Sequence, residues 1–270
     1  MSDIQQLIDN LPELYQPIFE RPQLSQNCSR ESADRLREIT AIYKALESKL
    51  GRPLRVLDLG CAQGFFSLSL GALGATVHGI DYSERNIELC NFLAAENPNI
   101  KASFWFGKIE DFLKTLEQDQ FDLVLGLSVF HHLIYEHGIE HVQSLLNSIL
   151  QRCQIFIAEF ALKEEPLYWG DAQPEAPREL LEDVAFVHEI ARYSTHLADI
   201  KRPLFVASNV FWCLDGQIEE IEDYTKNSHA FARGAHEGAR KYIFSDRHVV
   251  KIFTTYGSHG QRNREEHRRE

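Results

Sequence analysis

The residues best placed to do chemistry early in the chain lie in a glycine-containing loop after a short apolar run. The loop reads Asp58-x-Gly60-x-Ala62-x-Gly64. Glycine lacks a Cβ, so it permits sharp turns and leaves the main chain open to a bound molecule. A dinucleotide-binding loop would read G-x-G-x-x-G and a Walker A loop would end in G-K-[ST], and neither pattern is present. The remaining alternatives are a different ligand or a tight turn with none.

The spacing resembles the first loop of class I S-adenosylmethionine-dependent methyltransferases, acidic-x-G-x-G-x-G, with Ala62 at the middle glycine. The methionine part of that cofactor carries no phosphate, so it needs close backbone approach and carbonyl partners for its ammonium group. The resemblance implies cofactor contacts along the whole loop, through Asp58, Gly60, Cys61, Ala62 and Gly64.

Acidic residues follow the next two predicted strands. Asp81 ends the second strand, where a carboxylate can accept both ribose hydroxyls, and Tyr82 follows it. NAD enzymes place an acid similarly, so Asp81 indicates a nucleoside without separating the two cofactors. Ile109 and Glu110 stand where class I methyltransferases present an apolar flank and an acid near the adenine. Glu110 is equally explained as a first-turn acid favoured by the helix dipole.

Two adjacent histidines, His131 and His132, open the helix after the fourth predicted strand. Methyl transfer to a hydroxyl benefits from a base, and neutral histidine serves near pH 7, so they are the catalytic candidates. A packing role is the alternative. No further His or Cys stands nearby at ligand spacing, so no metal is predicted. Four residues are candidates for acceptor binding. Lys163 and Arg178 could bind an anion, and the rings of Tyr168 and Trp169 could stack on a pyranose face. The alternative for the two aromatic residues is packing against the core.

Strand and helix alternate five times between residues 51 and 160. This pattern predicts an α/β fold with a mostly parallel sheet and ligands at the carboxyl ends of its strands. The class I resemblance implies a Rossmann-like, seven-stranded sheet. Beyond residue 165 we predict a helix over 180–193 and a hairpin formed by 202–209 and 210–216. The predicted domains are a helical cap over the cofactor site (1–50), the methyltransferase domain (51–214), a linker (215–239) and a truncated kinase-like hairpin and tail (240–270).

Composition restricts the possible partners and compartment. The formal net charge of −12 argues against nucleic-acid binding, which needs clustered basic residues. Five scattered cysteines are typical of reduced thiols in a cytoplasmic protein. No apolar run reaches the roughly 18 residues of a membrane span, and no signal peptide is visible. We therefore expect a cytoplasmic protein without membrane insertion, leaving open a peripheral association with the inner membrane.

Longer blocks carry a more specific resemblance: LPELYQPIF, GRPLRVLDLGCAQGFFSLSL, LGLSVFHH, KEEPLYWG and RPLFVASN. Together they resemble the O-antigen chain-terminating bifunctional methyltransferase/kinase family over roughly residues 5 to 256. The resemblance implies an S-adenosylmethionine-dependent enzyme that caps a mannose-containing polysaccharide. It also implies that Tyr15, Gln16 and Arg35 close over the cofactor beside Leu127, with Arg35 neutralising the cofactor carboxylate.

The chain departs from that family near its end. RHVVKIFTTY resembles the kinase strand that carries a nucleotide-binding lysine, here Lys251, but this sequence has no H-R-D or D-F-G segment. Kinase activity of this chain, and the family's glycosyltransferase complex, are therefore not expected. The predicted function is O-methylation of the terminal sugar or sugar phosphate of a surface polysaccharide. The alternatives are an unrelated small-molecule methyltransferase and a non-catalytic remnant.

Overall fold

A computed structural model describes residues 3–118, 120–197, 199–225 and 240–253. The chain divides into two units, Met1–Asn209 and Val210–Glu270. The predicted tail beyond residue 253 and most of the predicted linker, 226–239, lie outside the described residues. Among the described residues, no helix combines the length and apolar character needed to cross a bilayer.

The first unit contains one seven-stranded sheet with helices on both faces. Its helices are α1 (Asp3–Asp9), α2 (Ala33–Leu50), α3 (Phe65–Ala72), α4 (Glu84–Glu96), α5 (Ile109–Leu113), α6 (Phe130–His137) and α7 (Ile139–Leu150). Its strands are β1 (Arg55–Leu59), β2 (Thr76–Asp81), β3 (Lys101–Phe106), β4 (Phe121–Leu127), β5 (Cys153–Glu159), β6 (Phe186–Ser194) and β7 (Lys201–Ser208).

The strand order is β3-β2-β1-β4-β5-β7-β6. The first five strands are mutually parallel, whereas β7 pairs antiparallel with both β5 and β6. The central strands are almost wholly buried because helices cover both faces, and their sequences are correspondingly apolar. The predicted mostly parallel, seven-stranded α/β fold is confirmed.

The N-terminal region packs against the same sheet. Ile18 and Phe19 join a buried cluster with Leu68 of α3 and Leu93 of α4. The prediction that residues 1–50 are helical holds for α1 and α2, but the segment 10–32 between them contains only a short 3-10 turn. The segment 10–32 also reaches the carboxyl ends of two strands, since Gln16 binds Gln63 after β1 and Arg30 binds Ser128 after β4.

The region after residue 165 differs from the prediction. Residues 186–194 form β6, where a helix was predicted, and β6 is the hairpin partner of β7. Phe186, Val187 and, after a register shift, Ala191 pair with residues of β7, along the edge of β7 that β5 leaves free. Residues 202–209 therefore do not pair with 210–216, and the predicted hairpin is wrong.

The second unit consists of short antiparallel strands. They are β8 (Phe211–Leu214), β9 (Gln217–Glu220), β10 (Asp223–Tyr224), β11 (Arg240–Phe244) and β12 (Val249–Phe253). β11 and β12 form a hairpin within the predicted range 240–270, and it places Tyr242 opposite Lys251. The first described part of the predicted linker instead forms β9 and β10, because β8 pairs with β9.

Candidate functional site

The glycine loop connects β1 to α3 in left-handed backbone conformations. Gly60 and Gly64 have φ of 73° and 75°, and Ala62, at the middle glycine position, has φ of 47°. A Cβ on Gly60 would lie 2.9 Å from Val129 Cγ2, and one on Gly64 would lie 2.9 Å from Cys90 Sγ. Both glycines are thus required by packing as well as by backbone conformation.

Asp81 holds this loop from the end of β2. Its Oδ2 accepts from the Ala62 amide at 2.9 Å, and its Oδ1 accepts from the Ser83 amide and from Asn86 Nδ2 at 2.8 and 3.1 Å. Burial raises the pKa of this carboxyl, which is only 5% exposed. Because Oδ1 already accepts two hydrogen bonds, Oδ2 is the oxygen with capacity for a ligand hydroxyl.

Asp58 and Cys61 lie beneath the loop. Asp58 is buried and accepts from Ser67 Oγ at 2.6 Å, and burial raises its pKa to about 6. Cys61 is fully buried, and burial raises the pKa of its thiol. These buried side chains support the turn.

The N-terminal segment is hydrogen-bonded to the loop and, through it, to Asp81. Gln63 Oε1 accepts from the Gln16 amide at 2.9 Å, and Gln63 Nε2 donates to Asn86 Oδ1 at 2.7 Å. Gln16 Oε1 accepts from the Phe65 amide in the first turn of α3. Gln16 therefore satisfies a helix N–H that has no partner within the helix. The structure brings this predicted residue to the site.

A buried ion cluster lies beside the loop, at the ends of β4 and β5. Glu159 ends β5 and accepts from Arg30 Nη2, from Ser128 Oγ and from Arg35 Nε. Arg30 Nη1 also donates to Ser128 Oγ and to the Tyr15 hydroxyl. Burial alone would raise the pKa of Glu159, but the two guanidinium groups outweigh it and hold that pKa below its ordinary value.

Sequence reasoning identified Arg35 and Tyr15 of this cluster but missed Arg30, Ser128 and Glu159. Glu159 carried a usable signal, since a charged residue that ends a buried parallel strand lies at the ligand edge of the sheet. Arg30 carried none, because it stands in an irregular segment without a motif.

The remaining predicted cofactor residues lie along the same edge. Tyr82 is 78% exposed, Ile109 is buried and Leu127 ends β4 half-buried. Glu110 Oε1 lies 3.5 Å from His137 Nε2, so it bridges α5 and α6. These positions are compatible with a nucleoside between Tyr82 and Ile109.

The predicted acceptor residues form an aromatic cluster at the start of α6. His132 Nδ1 lies 3.0 Å from the Tyr168 hydroxyl. Tyr168 is 62% exposed, and its ring contacts that of Tyr135 edge-on with centroids 5.0 Å apart. His131 and Trp169 instead pack beneath, each at most 5% exposed, with ring centroids 4.5 Å apart. Stacking of a sugar on Trp169, as predicted, is therefore excluded in this arrangement.

A buried ion pair supports the cluster. Glu165 accepts from Arg202 Nε and Nη2 at 2.7 and 2.6 Å and from Trp169 Nε1 at 3.1 Å. Burial lowers the pKa of His132, and the positive charge of Arg202 lowers it further. His132 is thereby kept neutral, the form in which an imidazole accepts a proton.

The two predicted basic acceptor residues do not join the histidines. Lys163 pairs with Glu175, and Arg178 lies exposed in the 3-10 turn 177–181. Within the part of the chain that the structure describes, no three His, Cys, Asp or Glu side chains are grouped to hold a metal ion.

Known proteins share much of this sequence and fold. The chain is 44% identical over 268 residues to the O-antigen chain terminator bifunctional methyltransferase/kinase WbdD of Escherichia coli, covering 99% of this chain and 38% of that protein. A solved structure of the bifunctional kinase-methyltransferase WbdD superposes with a TM-score of 0.93 at 42% identity, covering 98% of this chain and 61% of that one. A ubiquinone biosynthesis O-methyltransferase of Rickettsia akari is 35% identical over 99 residues, 36% of each chain.

The chain thus spans 38% of the length of two curated relatives of this name. The predicted resemblance to the chain-terminating family is confirmed over nearly all of this chain. A family model described as a methyltransferase domain matches residues 51–204. This range includes β1 to β5, the glycine loop and both histidines. The chain belongs to this methyltransferase domain family.

Proposed function

We propose that this chain binds S-adenosylmethionine at the carboxyl edge of the sheet and transfers its methyl group to an oxygen of a saccharide. The observation that carries the proposal is the glycine loop held by Asp81 through the Ala62 amide and enclosed by Gln16. The residues present fit this cofactor, because the loop offers bare backbone and Asp81 Oδ2 has capacity for a ribose hydroxyl.

The cofactor supplies a methyl group on a sulfonium, which is already a strong electrophile. The contribution of the protein is alignment of donor and acceptor, which can supply on the order of 7–11 kcal/mol. Gln16 and the loop hold the methionine end, Asp81 holds the ribose, and Tyr82 and Ile109 flank the base. His132 takes the proton of an acceptor hydroxyl, with Tyr168 fixing the orientation of its ring.

The acceptor proposal rests on the relatives and on the aromatic cluster. The name of the curated relative describes an O-antigen chain terminator, and we propose a terminal sugar or sugar phosphate of a surface polysaccharide as the acceptor here. The exposed rings of Tyr168 and Tyr135 suit a pyranose face. The pairing of Lys163 with Glu175 favours the neutral hydroxyl over the phosphate.

We also propose that the protein works in the cytoplasm, where the cofactor is made. The net charge of −12 is consistent with a saccharide partner and not with nucleic acid.

Two measurements test the proposal. Calorimetry with S-adenosylmethionine is expected to show binding that Asp81→Asn weakens, by roughly 1.5–3 kcal/mol for loss of a charged hydrogen-bond partner. Transfer of a radiolabelled methyl group is then compared on oligomannosides with and without a terminal phosphate. No binding heat with the wild-type chain would reject the cofactor. Binding without transfer to either saccharide would reject the acceptor class alone.

A further inference from the structure

A polar groove runs along α7, outside the residues proposed for methyl transfer. Its volume is about 600 Å³, within the range of about 300–1,000 Å³ that is typical of small-ligand sites. One wall is the exposed side of α7, and the other is formed by the 3-10 turn Pro177–Leu181 and the two residues that follow it. Leu180 and Leu181 of this turn join Leu146 of α7 in one buried cluster, so the core holds the two walls together.

The α7 wall presents neutral hydrogen-bonding groups in two rows. Gln143, Asn147 and Gln151 are four positions apart and therefore lie on one side of the helix, and Ser144 and Ser148 form the neighbouring row. At about 1.5 Å per residue, the row of amides is about 12 Å long. The side chains of Ser144, Asn147 and Gln151 form no hydrogen bond with another described residue, so a ligand can use their donors and acceptors.

The charge of the lining restricts what this groove can bind. Four carboxylates and one guanidinium line it, those of Glu140, Glu179, Glu182, Asp183 and Arg152. This excess of negative charge disfavours nucleic acid, phosphate and other anions. No three of the described His, Cys, Asp and Glu side chains are grouped to hold a metal ion, and only one residue of the lining is apolar. Carboxylates, amides and hydroxyls all bind sugar hydroxyls, so a neutral saccharide is the ligand that fits.

One chain segment connects the groove with the aromatic cluster of the proposed acceptor site. At its start, the Tyr168 hydroxyl lies 3.0 Å from His132 Nδ1 in the first turn of α6. Gln173 Nε2 then donates to a main-chain carbonyl of that turn at 3.3 Å, and the Glu179 carbonyl accepts from Gln143 Nε2 of α7 at 2.9 Å. The segment thus follows α6 and then α7, and a saccharide that leaves the cluster along it reaches the groove.

We propose that the α7 groove binds the saccharide chain behind the acceptor terminus, so that the enzyme recognises an oligosaccharide and not its terminal sugar alone. This inference rests on the proposed function, because it extends the acceptor from one sugar ring to a chain of them. The amides of Asn147 and Gln151 bind ring hydroxyls of this chain. Ser144 is exposed in the same wall, where a larger side chain would obstruct the groove.

The test compares a dimannoside with a hexamannoside that has the same terminus. Values of kcat/KM for methyl transfer are measured for wild type, Ser144→Trp and the double variant Asn147→Ala with Gln151→Ala. The matched control is Ser48→Trp, which places the same bulky side chain at an exposed position of α2. Wild type and the control are expected to prefer the hexamannoside by about 10-fold to 100-fold, the effect of two or three additional hydrogen bonds.

Ser144→Trp is expected to bring this preference close to one through KM, and the double variant is expected to reduce it in part. Thermal unfolding confirms that each variant is folded, and the double variant carries the test if Ser144→Trp does not fold. Equal kcat/KM for the two acceptors in wild type, or an unchanged preference in the groove variants, would overturn the assignment while leaving the proposed function intact.

Calorimetry with the hexamannoside decides the case in which neither acceptor is methylated, which would reject the proposed acceptor class for transfer. Binding to wild type that Ser144→Trp removes would still support the groove, whereas absent binding, or binding that this variant leaves unchanged, would overturn it. An oligolysine peptide is titrated in parallel because the lining is acidic. Binding of the peptide in place of the hexamannoside, lost in Ser144→Trp, would also overturn the saccharide assignment.

Discussion

At the residue scale, the chemistry proposed for this site depends on the protonation of His132. Its Nδ1 lies against the Tyr168 hydroxyl, and its Nε2 has no hydrogen-bond partner among the described residues. The neighbouring His131 is buried between His132 and Trp169, and burial lowers the pKa of its ring well below the ordinary value. His132 is therefore the histidine that an acceptor can reach.

The first prediction concerns the pH dependence of methyl transfer to a hydroxyl acceptor. The pKa of His132 lies below 6.5, so the ring stays neutral until the pH falls below that value. The rate is therefore expected to be constant above pH 6.5 and to fall on the acidic side of it. His132→Ala is expected to lower turnover by about 10²–10⁴ and to remove this acidic limb. The measurement is kcat/KM from pH 5 to 8.

Tyr168→Phe is the matched control, since it removes the hydroxyl at Nδ1 but keeps the exposed ring. It is expected to retain the acidic limb with a smaller loss of rate. A pH-independent rate in the wild-type chain, or full activity of His132→Ala, would show that the acceptor is already anionic.

The sequence was sufficient to predict those site residues whose position follows from the alternation of strands and helices. Gly60, Gly64 and Asp81 stand at strand ends, so alternation of elements was enough to bring them together. Arg30 and Glu159 are 129 positions apart in the chain and meet only in the tertiary fold. Their ion pair could not be predicted from the sequence for that reason.

At the scale of elements, the loop between β1 and α3 depends on glycine for two separable reasons. Gly64→Ala would place a residue with a Cβ at φ of 75° and set that Cβ 2.9 Å from Cys90 Sγ and 3.4 Å from the Phe104 ring. The expected destabilisation is about 1–2 kcal/mol from the backbone alone, plus the cost of overpacking. Chemical denaturation of the variant measures the sum.

Gly51→Ala separates the two contributions. Gly51 ends α2 with φ of 66°, and a Cβ there would meet no atom within 4 Å. Its cost is therefore the backbone contribution alone, and Gly64→Ala is expected to exceed it. Equal losses in both variants would mean that α4 moves away from the loop without cost.

The misassigned strand β6 shows where local pattern fails. The sequence LLEDVAFVHEIARY has apolar residues at both helical and alternating spacing, so periodicity did not decide between helix and strand. The decision came from β7, whose free edge pairs with residues 186–194. Propensity is overridden by tertiary pairing of this kind because the sheet supplies the hydrogen bonds.

The ion pair between Glu165 and Arg202 ties the loop after β5 to the start of β7. Both side chains are almost fully buried, so Glu165→Ala leaves a guanidinium without its counter-charge. We expect a loss of about 3–5 kcal/mol in the free energy of unfolding. The double variant Glu165→Ala with Arg202→Met is expected to lose less than the two single variants together. Additive losses would show that the pair is not coupled.

At the scale of the whole molecule, every residue proposed for methyl transfer lies in the first unit, Met1–Asn209. Four of the strands that carry them, β1, β2, β4 and β5, belong to one continuous sheet. The second unit has a separate three-stranded sheet, β10-β11-β12, and a two-stranded sheet, β8-β9. Methyl transfer is thus expected to be independent of side chains exposed in the second unit.

The last prediction tests that independence at Lys251. This residue resembles a nucleotide-binding lysine by sequence, and it lies on β12 opposite Tyr242, exposed, with Nζ 5.8 Å from the centre of the Phe253 ring. Lys251→Ala removes this exposed contact and no residue of the proposed site, so cofactor affinity and methyl transfer are expected to remain at wild-type values. Asp81→Asn, measured in parallel, is the variant expected to lose both. A loss of transfer in Lys251→Ala comparable to that of Asp81→Asn would show that the second unit takes part in the reaction.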